Sequence, residues 1–432
     1  MTTPTSDNIG AVIVGARGDA RIFSVPARRP ELDLSAVLPL ALNIGLSDFN
    51  LTLSYLPSVL YSDLTLSDDR RFAFQQFGAG RISFSTTRRR LTLSMYLTAS
   101  YTAGNATVLN QFVPGVGTGT AASPTAATTT TPTAAGAGLN PAFPQATGAS
   151  LVIPPDTIVK IGQGTAGIGI SYLFTSRLMF SSTVFGARNQ GFDYYSKILS
   201  PPTSSIGARE DLSYALSRTD SLSTRASPTY TITALPELGT TPASTTRTFI
   251  FSLLESYQHR WSPRTSGRLS AGVDVGTYTS SLTPDTTSNQ TSVAADGLLD
   301  HSVPLGPRGL MTLRAAVSYG LGVNQFLGGL QNQVTALGSV GVVKDDVSVV
   351  ASLTGTSSVA VTPATQTVAA ALVATYRLSR YASLLGGATA TKSLLPPQSV
   401  QALNANGPVI DNGAIQWIAF AGLTVVGPPL LF

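Results

Sequence analysis

Apolar and polar positions alternate with a period of two along most of this chain. From 309 to 320, Met311, Leu313, Ala315, Val317 and Tyr319 share one face, while Thr312, Arg314, Ala316 and Ser318 share the other. From 266 to 276, Leu269, Ala271, Val273 and Val275 alternate with Arg268, Ser270, Gly272 and Asp274. Leu91, Leu93, Met95, Leu97, Ala99 and Tyr101 repeat the phase, as do Ile415, Trp417, Ala419, Ala421, Leu423 and Val425. Successive side chains of a strand point to opposite faces, so each such segment predicts a strand with one apolar face. The pattern predicts about 16 strands, over 47–62, 70–85, 90–102, 161–174, 177–190, 207–218, 220–234, 245–260, 266–279, 289–302, 308–321, 331–343, 346–359, 366–377, 380–391 and 411–426.

The second face is built mainly from Ser, Thr, Gly and Ala rather than from Lys and Glu. Charged residues make up 11% of the chain, against about a quarter in soluble domains. Mean hydropathy is +0.21, yet no apolar run approaches the ~18 residues of a membrane helix. Interleaved apolar and small polar residues exclude a helical membrane protein and argue against a soluble enzyme with a charged surface. They predict an all-β fold: a closed antiparallel transmembrane β-barrel, apolar side out, small polar side facing a lumen. Closure is required because an open edge leaves backbone groups unpaired in hydrocarbon. Residues 1–46 read either as an N-terminal periplasmic segment or as an extra strand pair, so the count ranges from 14 to 18. The barrel itself is assigned to 47–432.

Connections alternate in length. Short turns fall at 86–90, 175–177, 217–220, 262–266, 304–309, 344–346 and 378–380. Longer Thr/Pro/Gly-rich stretches lie between them, the longest being the Thr/Ala-rich 103–160. Short periplasmic turns and long extracellular loops are the arrangement of an outer-membrane barrel. The 103–160 stretch reads as a mobile surface loop or as an inward constriction anchored by aromatics such as Phe112 and Phe143. Tyr172, Tyr214, Tyr257 and Tyr376 each fall near a strand end at a short turn, where they predict an aromatic girdle at the water–lipid boundary.

The net charge is +5, and 27 residues are Lys or Arg. Basic residues gather at the short turns: Arg88, Arg89, Arg90, Arg177, Arg218, Arg264 and Arg380 form a predicted periplasmic rim. Such a rim draws anionic solutes or an acidic partner, or simply anchors at anionic headgroups. The inward phase carries Arg81, Asp211, Arg225, Arg268, Asp274, Asp296, Asp300 and Arg314, read as lumen and selectivity residues or as a structural network. Asp274, Asp296 and Arg314 lie on successive predicted strands and are expected to pair with one another. The chain has no cysteine and two histidines, His259 and His301. That excludes disulfides and cysteine chemistry and gives no metal-site spacing. No phosphate loop or paired-carboxylate motif is present, and basic residues with aromatics do not cluster as a nucleic-acid surface. No catalytic residue, metal or cofactor is therefore assigned.

Taken together, the chain resembles a Gram-negative outer-membrane β-barrel of the porin type. Its terminal Phe432 resembles the C-terminal aromatic read by barrel-assembly machinery, although Gly427-Pro428-Pro429 interrupts the last alternation. Leu51-Thr-Leu-Ser-Tyr55-Leu-Pro-Ser58-Val-Leu-Tyr61-Ser-Asp63 is similar to first strands of porins associated with exopolysaccharide gene clusters, as is Ser83 to Tyr101 with its Arg88-Arg89-Arg90 turn. The resemblance implies a passive pore in the outer membrane, for polar solute or secreted polysaccharide, surrounded by outer-membrane lipid and served by periplasmic export or envelope partners. The alternatives are a non-conducting scaffold barrel that docks envelope proteins and an embedded hydrolase with a serine beside His259 or His301. The first residues lack a signal-peptide pattern, and a removed leader is expected.

Overall fold

The computed structural model describes residues 10–23, 31–46, 48–62, 72–105, 158–193, 196–197, 201–237, 242–324, 329–359, 366–394, 415–428 and 430–431. The 106–157 part of the Thr/Ala-rich stretch, with Phe112 and Phe143, lies outside them, as does Phe432. In chain order the strands are Gly10–Phe23 (β1), Glu31–Val37 (β2), Leu40–Gly45 (β3), Phe49–Ser62 (β4), Phe72–Arg88 (β5), Leu91–Asn105 (β6) and Ile158–Leu173 (β7). Leu178–Gly191 (β8), Thr203–Ala215 (β9), Asp220–Leu235 (β10), Ser244–Ser262 (β11), Thr265–Ser280 (β12) and Thr283–Pro304 (β13) follow. The last are Gly309–Asn324 (β14), Gly329–Lys344 (β15), Val347–Val359 (β16), Gln366–Arg377 (β17), Ala382–Leu394 (β18), Ile415–Val426 (β19) and Leu430–Leu431 (β20).

Each strand pairs antiparallel with its chain neighbours, and β1 closes the sheet on β19, from Gly15–Val426 to Phe23–Ile418. β2 and β3 are one strand broken at Leu38-Pro39, since both lie between β1 and β4. The ladder runs on through the break: Gly15 N–H donates to the Pro39 carbonyl (2.9 Å) and Leu38 N–H to the Pro57 carbonyl (3.0 Å). β20 is a two-residue segment pairing with Ala11 and Val12 of β1. The wall thus holds 18 strands, two more than the alternation predicts. The extra pair comes from residues 10–45. Midway along its first strand the outward residues Ala16, Gly18 and Ala20 are small, and proline splits its second strand, so the period-two signal there is faint.

At one end the strands are joined by turns of two to four residues, among them 89–90, 174–177, 263–264 and 345–346. The connections at the other end span more of the chain, save the two-residue turn between β12 and β13. Both β1 and β19 have their outer termini at the short-turn end. Arg89 and Asp345 sit in the tight turns at φ of 54° and 50°.

The distribution of polarity is inverted relative to a soluble domain. Among the described residues, Ala187 and Ala294 are the buried apolar side chains, against fourteen buried polar or charged ones, including Thr203, Thr246, Ser256, Arg225 and Asp274. Leu269, Val293, Val317, Leu372 and Leu423 are exposed on the outside. No described helix is long and apolar enough to cross a membrane.

Candidate functional site

The inner face carries the charged side chains that alternation placed there. On β9, Arg209 and Asp211 stand two residues apart on the same side, and the Arg209 Nε donates to Asp211 Oδ2 at 2.6 Å. Asp211 lies directly opposite Arg225 of β10, whose Nε donates to the other carboxylate oxygen at 2.8 Å. Arg225 is only 7% exposed, so this carboxylate is held between two guanidiniums in a partly dry setting, where charge-assisted bonds are strong. Pro228 lies nearby on β10. With no N–H to give, it coincides with a gap in the β9–β10 ladder between Ala226 and Thr229.

Farther round, Arg268 of β12 donates to Asp296 of β13 at 3.0 Å. Arg314 of β14 faces Asp300 of β13 at 3.6 Å, half-exposed. Asp274 pairs with neither. Its Oδ2 accepts the backbone N–H of Leu321 at 2.8 Å. The expectation that Asp274, Asp296 and Arg314 pair with one another is therefore corrected. Partners follow register: Asp300 stands directly across from Arg314, and Asp296 reaches diagonally to Arg268. Arg81 is inward and exposed on β5, beside Thr98, whose hydroxyl is bonded to that of Thr165.

Two inner charges outside the predicted set lie on β1, where Arg17 Nε donates to Asp19 Oδ1 at 2.7 Å and Asp19 is 5% exposed. Arg209 is a third. The available signal was the Arg-x-Asp spacing, 17–19 and 209–211, which puts opposite charges on one face of a strand.

The rim residues Arg88, Arg89, Arg90, Arg177, Arg218, Arg264 and Arg380 are all exposed at the short-turn end. Arg90 donates to the Phe174 carbonyl at 2.9 Å, tying two adjacent turns. Arg380 lies 4.6 Å over the Tyr381 ring. Tyr172, Tyr214, Tyr257 and Tyr376 all point outward near that end, and Tyr172 packs edge-on against Phe174 at 4.9 Å.

A separate polar cluster lies on the outer surface at the same rim. Asp220 accepts from the Tyr257 hydroxyl and pairs with His259 Nδ1, each at 2.6 Å. Its carboxyl is held well below the usual carboxylate range by bonds from Ser217, Tyr257, His259 and Thr219. His301 Nδ1 lies 2.7 Å from the Thr265 hydroxyl. Ser217 bonds the carboxylate, not the imidazole, so no serine–histidine pair is assembled by the bonds described. Glu210 and Glu255 also face outward, in mid-wall, and the Thr224 hydroxyl donates to Glu255 at 2.8 Å. Both carboxylates occupy positions where the period-two pattern otherwise places apolar residues. Beside Trp261, an outer groove of about 390 Å³ opens where Gly267 and Gly297 lack side chains, with Leu269 and Val317 on its walls. No group of three or more His, Asp or Glu side chains among the described residues comes together as a metal site.

No family model matches the chain, and no curated protein matches it in sequence. Among solved structures it is similar to the FrpB iron transporter from Neisseria meningitidis (apoprotein form), at 8% identity and a TM-score of 0.49, covering 96% of this chain and 66% of that one. The ferric-catecholate import receptor Fiu from E. coli K12 matches at 8% identity and 0.40, covering 99% and 82%. The ferric enterobactin receptor PfeA from Pseudomonas aeruginosa matches at 11% and 0.41, covering 95% and 81%. The chain thus spans about two thirds of the length of the Neisseria protein.

Proposed function

We propose that this protein is an outer-membrane barrel that forms a passive pore for polar solutes. The observation that carries the reading is the inverted polarity of a closed wall. Outward rows such as Val368, Ala370, Leu372, Ala374 and Tyr376 on β17, and Ile415 to Val425 on β19, are nine to eleven residues long. A tilted transmembrane strand needs about 9–11. The inner face offers hydroxyls and paired charges that hold water, and a solute inside meets small side chains and a few fixed charges. Secreted polysaccharide is one solute class that suits a hydroxyl-rich lining. The girdle tyrosines and the basic rim at one end favour placing the short turns on the periplasmic side.

The test is conductance of the purified protein in planar lipid bilayers. Stepwise openings support the pore, and a silent membrane with correctly folded protein overturns it. A second reading rests on the rim alone: Arg88, Arg89, Arg90 and their neighbours are exposed together and fit an acidic periplasmic partner. Neutralising Arg88, Arg89 and Arg90 should then weaken co-purification of that partner while leaving conductance intact.

A further inference from the structure

Among the described residues the wall has one seam. The β13–β14 ladder runs from Pro304–Leu310 to Ala295–Tyr319 and stops there. Beyond it β13 continues to Thr283, and β14 continues to Asn324 in a hairpin with β15 that stays fully paired, Gly320–Gln333 to Asn324–Gly329. Over this stretch no ladder joins β13 to β14.

The hairpin has turned inward and crosses in front of β13 to reach the inner face of β12. Leu321 N–H bonds Asp274. A methyl placed on Gly276 of β12 would meet Leu330 at 2.8 Å and Leu321 at 3.2 Å, so these leucines rest where β12 has no side chain. A methyl on Gly320 would lie 3.9 Å from Ala294 of β13. Gln290 of β13 bonds Asn332 of β15 at 3.5 Å.

Continuing the existing register by two steps would set Leu321 opposite Val293, on the outward phase it shares with Val317 and Tyr319. Val293 is 63% exposed, among the most exposed apolar side chains described. The same leucine therefore has two apolar seats, one on Gly276 inside and one beside Val293 outside. In the inner seat its N–H is satisfied by Asp274; in the outer seat a β13 carbonyl would take it. In neither seat is the Leu321 amide left without an acceptor, an economy that a membrane wall favours.

We propose that the β14–β15 hairpin is a size-selecting element with these two seats, and that Asp274 is the latch that holds it across the lumen. Seated inside, it narrows the bore; zipped to β13, it widens the bore and closes the seam. This deepens the pore reading above and rests on it.

The absence of cysteine makes paired-cysteine trapping unambiguous. Gly276→Cys with Leu330→Cys should cross-link in the folded protein and cut single-channel conductance several-fold, reversed by reductant. Val293→Cys with Leu321→Cys, which traps the outer seat at a spacing suited to a disulfide, should raise conductance and admit larger sugars in liposome swelling. Asp274→Ala should increase the yield of the 293–321 cross-link, with the barrel's heat-modifiable gel mobility kept as the folding check. A folded protein in which the 276–330 pair fails to cross-link, or in which both disulfides form and conductance stays at the parent value, overturns the proposal. If the parent protein conducts nothing, the pore reading fails; the cross-link yields, with and without Asp274, then decide separately whether the hairpin has two seats.

Discussion

Two neighbouring arcs of the inner wall, β9 to β14 and β15 to β18, are unlike. From β9 to β14 it carries Arg209, Asp211, Arg225, Arg268, Asp274, Asp296, Asp300 and Arg314, four of each sign, most of them paired. From β15 to β18 the inward positions in mid-wall are uncharged: Ser339 and Gly341, Ser348 and Ser352, Ala369 and Ala371, Gly387 and Thr389. Height changes close to the same boundary. β10 to β15 run 16 to 22 residues, whereas β16 to β19 run 12 or 13. The shorter arc is little longer than the 9–11 residues a tilted spanning strand needs. The charged arc overshoots that length at the long-connection end, and its extra backbone includes the inturned hairpin. Going from β14 to β16 the wall thus loses both its fixed inner charges and its added height.

The largest effect is expected at Asp211. Asp211→Ala leaves Arg225 buried beside Arg209 without a counter-charge, and removing one partner of a buried pair costs about 3–5 kcal/mol. The loss should be visible as a lowered urea midpoint in detergent; an unchanged midpoint would mean the charged arc contributes nothing to the fold. Next in size, the plain arc should tolerate charge on one face only. Leu372→Arg, pointing outward, should cost about 2–4 kcal/mol in a lipid environment. Ala371→Arg, one residue away and pointing inward, should cost far less, and equal costs would remove the distinction between the faces. The smallest effect is expected at the half-exposed Arg314–Asp300 pair. Arg314→Ala should change stability by under about 1 kcal/mol yet shift the zero-current potential in a salt gradient, while Ser352→Ala on the plain arc should leave it unmoved. Matching potentials for the two variants would take Arg314 out of any role in selection.

Strand positions and faces were legible because a two-sided environment stamps its period directly on the residues, as in Leu313 to Tyr319 or Val368 to Tyr376. Where outward residues shrink to Ala16, Gly18 and Ala20, or Pro39 interrupts, the stamp fades and a strand pair drops below notice. Charge pairing was half legible. The phase put Arg268, Asp274 and Arg314 inside, but which atom meets which depends on register between strands, a non-local quantity set by turn lengths and ladder offsets. Hence Asp296 goes to Arg268, and Asp274 goes to a backbone amide 47 residues downstream. The inward turn of the hairpin had no sequence signature at all. The predicted strands stop at 321 and resume at 331, and the inward turn shows only in the end of a ladder and in contacts with β12 that are distant in sequence.

Every neighbouring pair of strands but one is also adjacent in the chain. The exception joins Gly15 to Val426, about 400 residues apart. Until the last strand is synthesised and delivered, β1 has no partner on that side and the sheet can only be a curled ribbon with two raw margins. Closing so long a loop is entropically expensive and slow. The twelve residues of β19 therefore decide the moment of completion, and a chain truncated before Ile415 would be left as an aggregation-prone ribbon however well its first seventeen strands had formed.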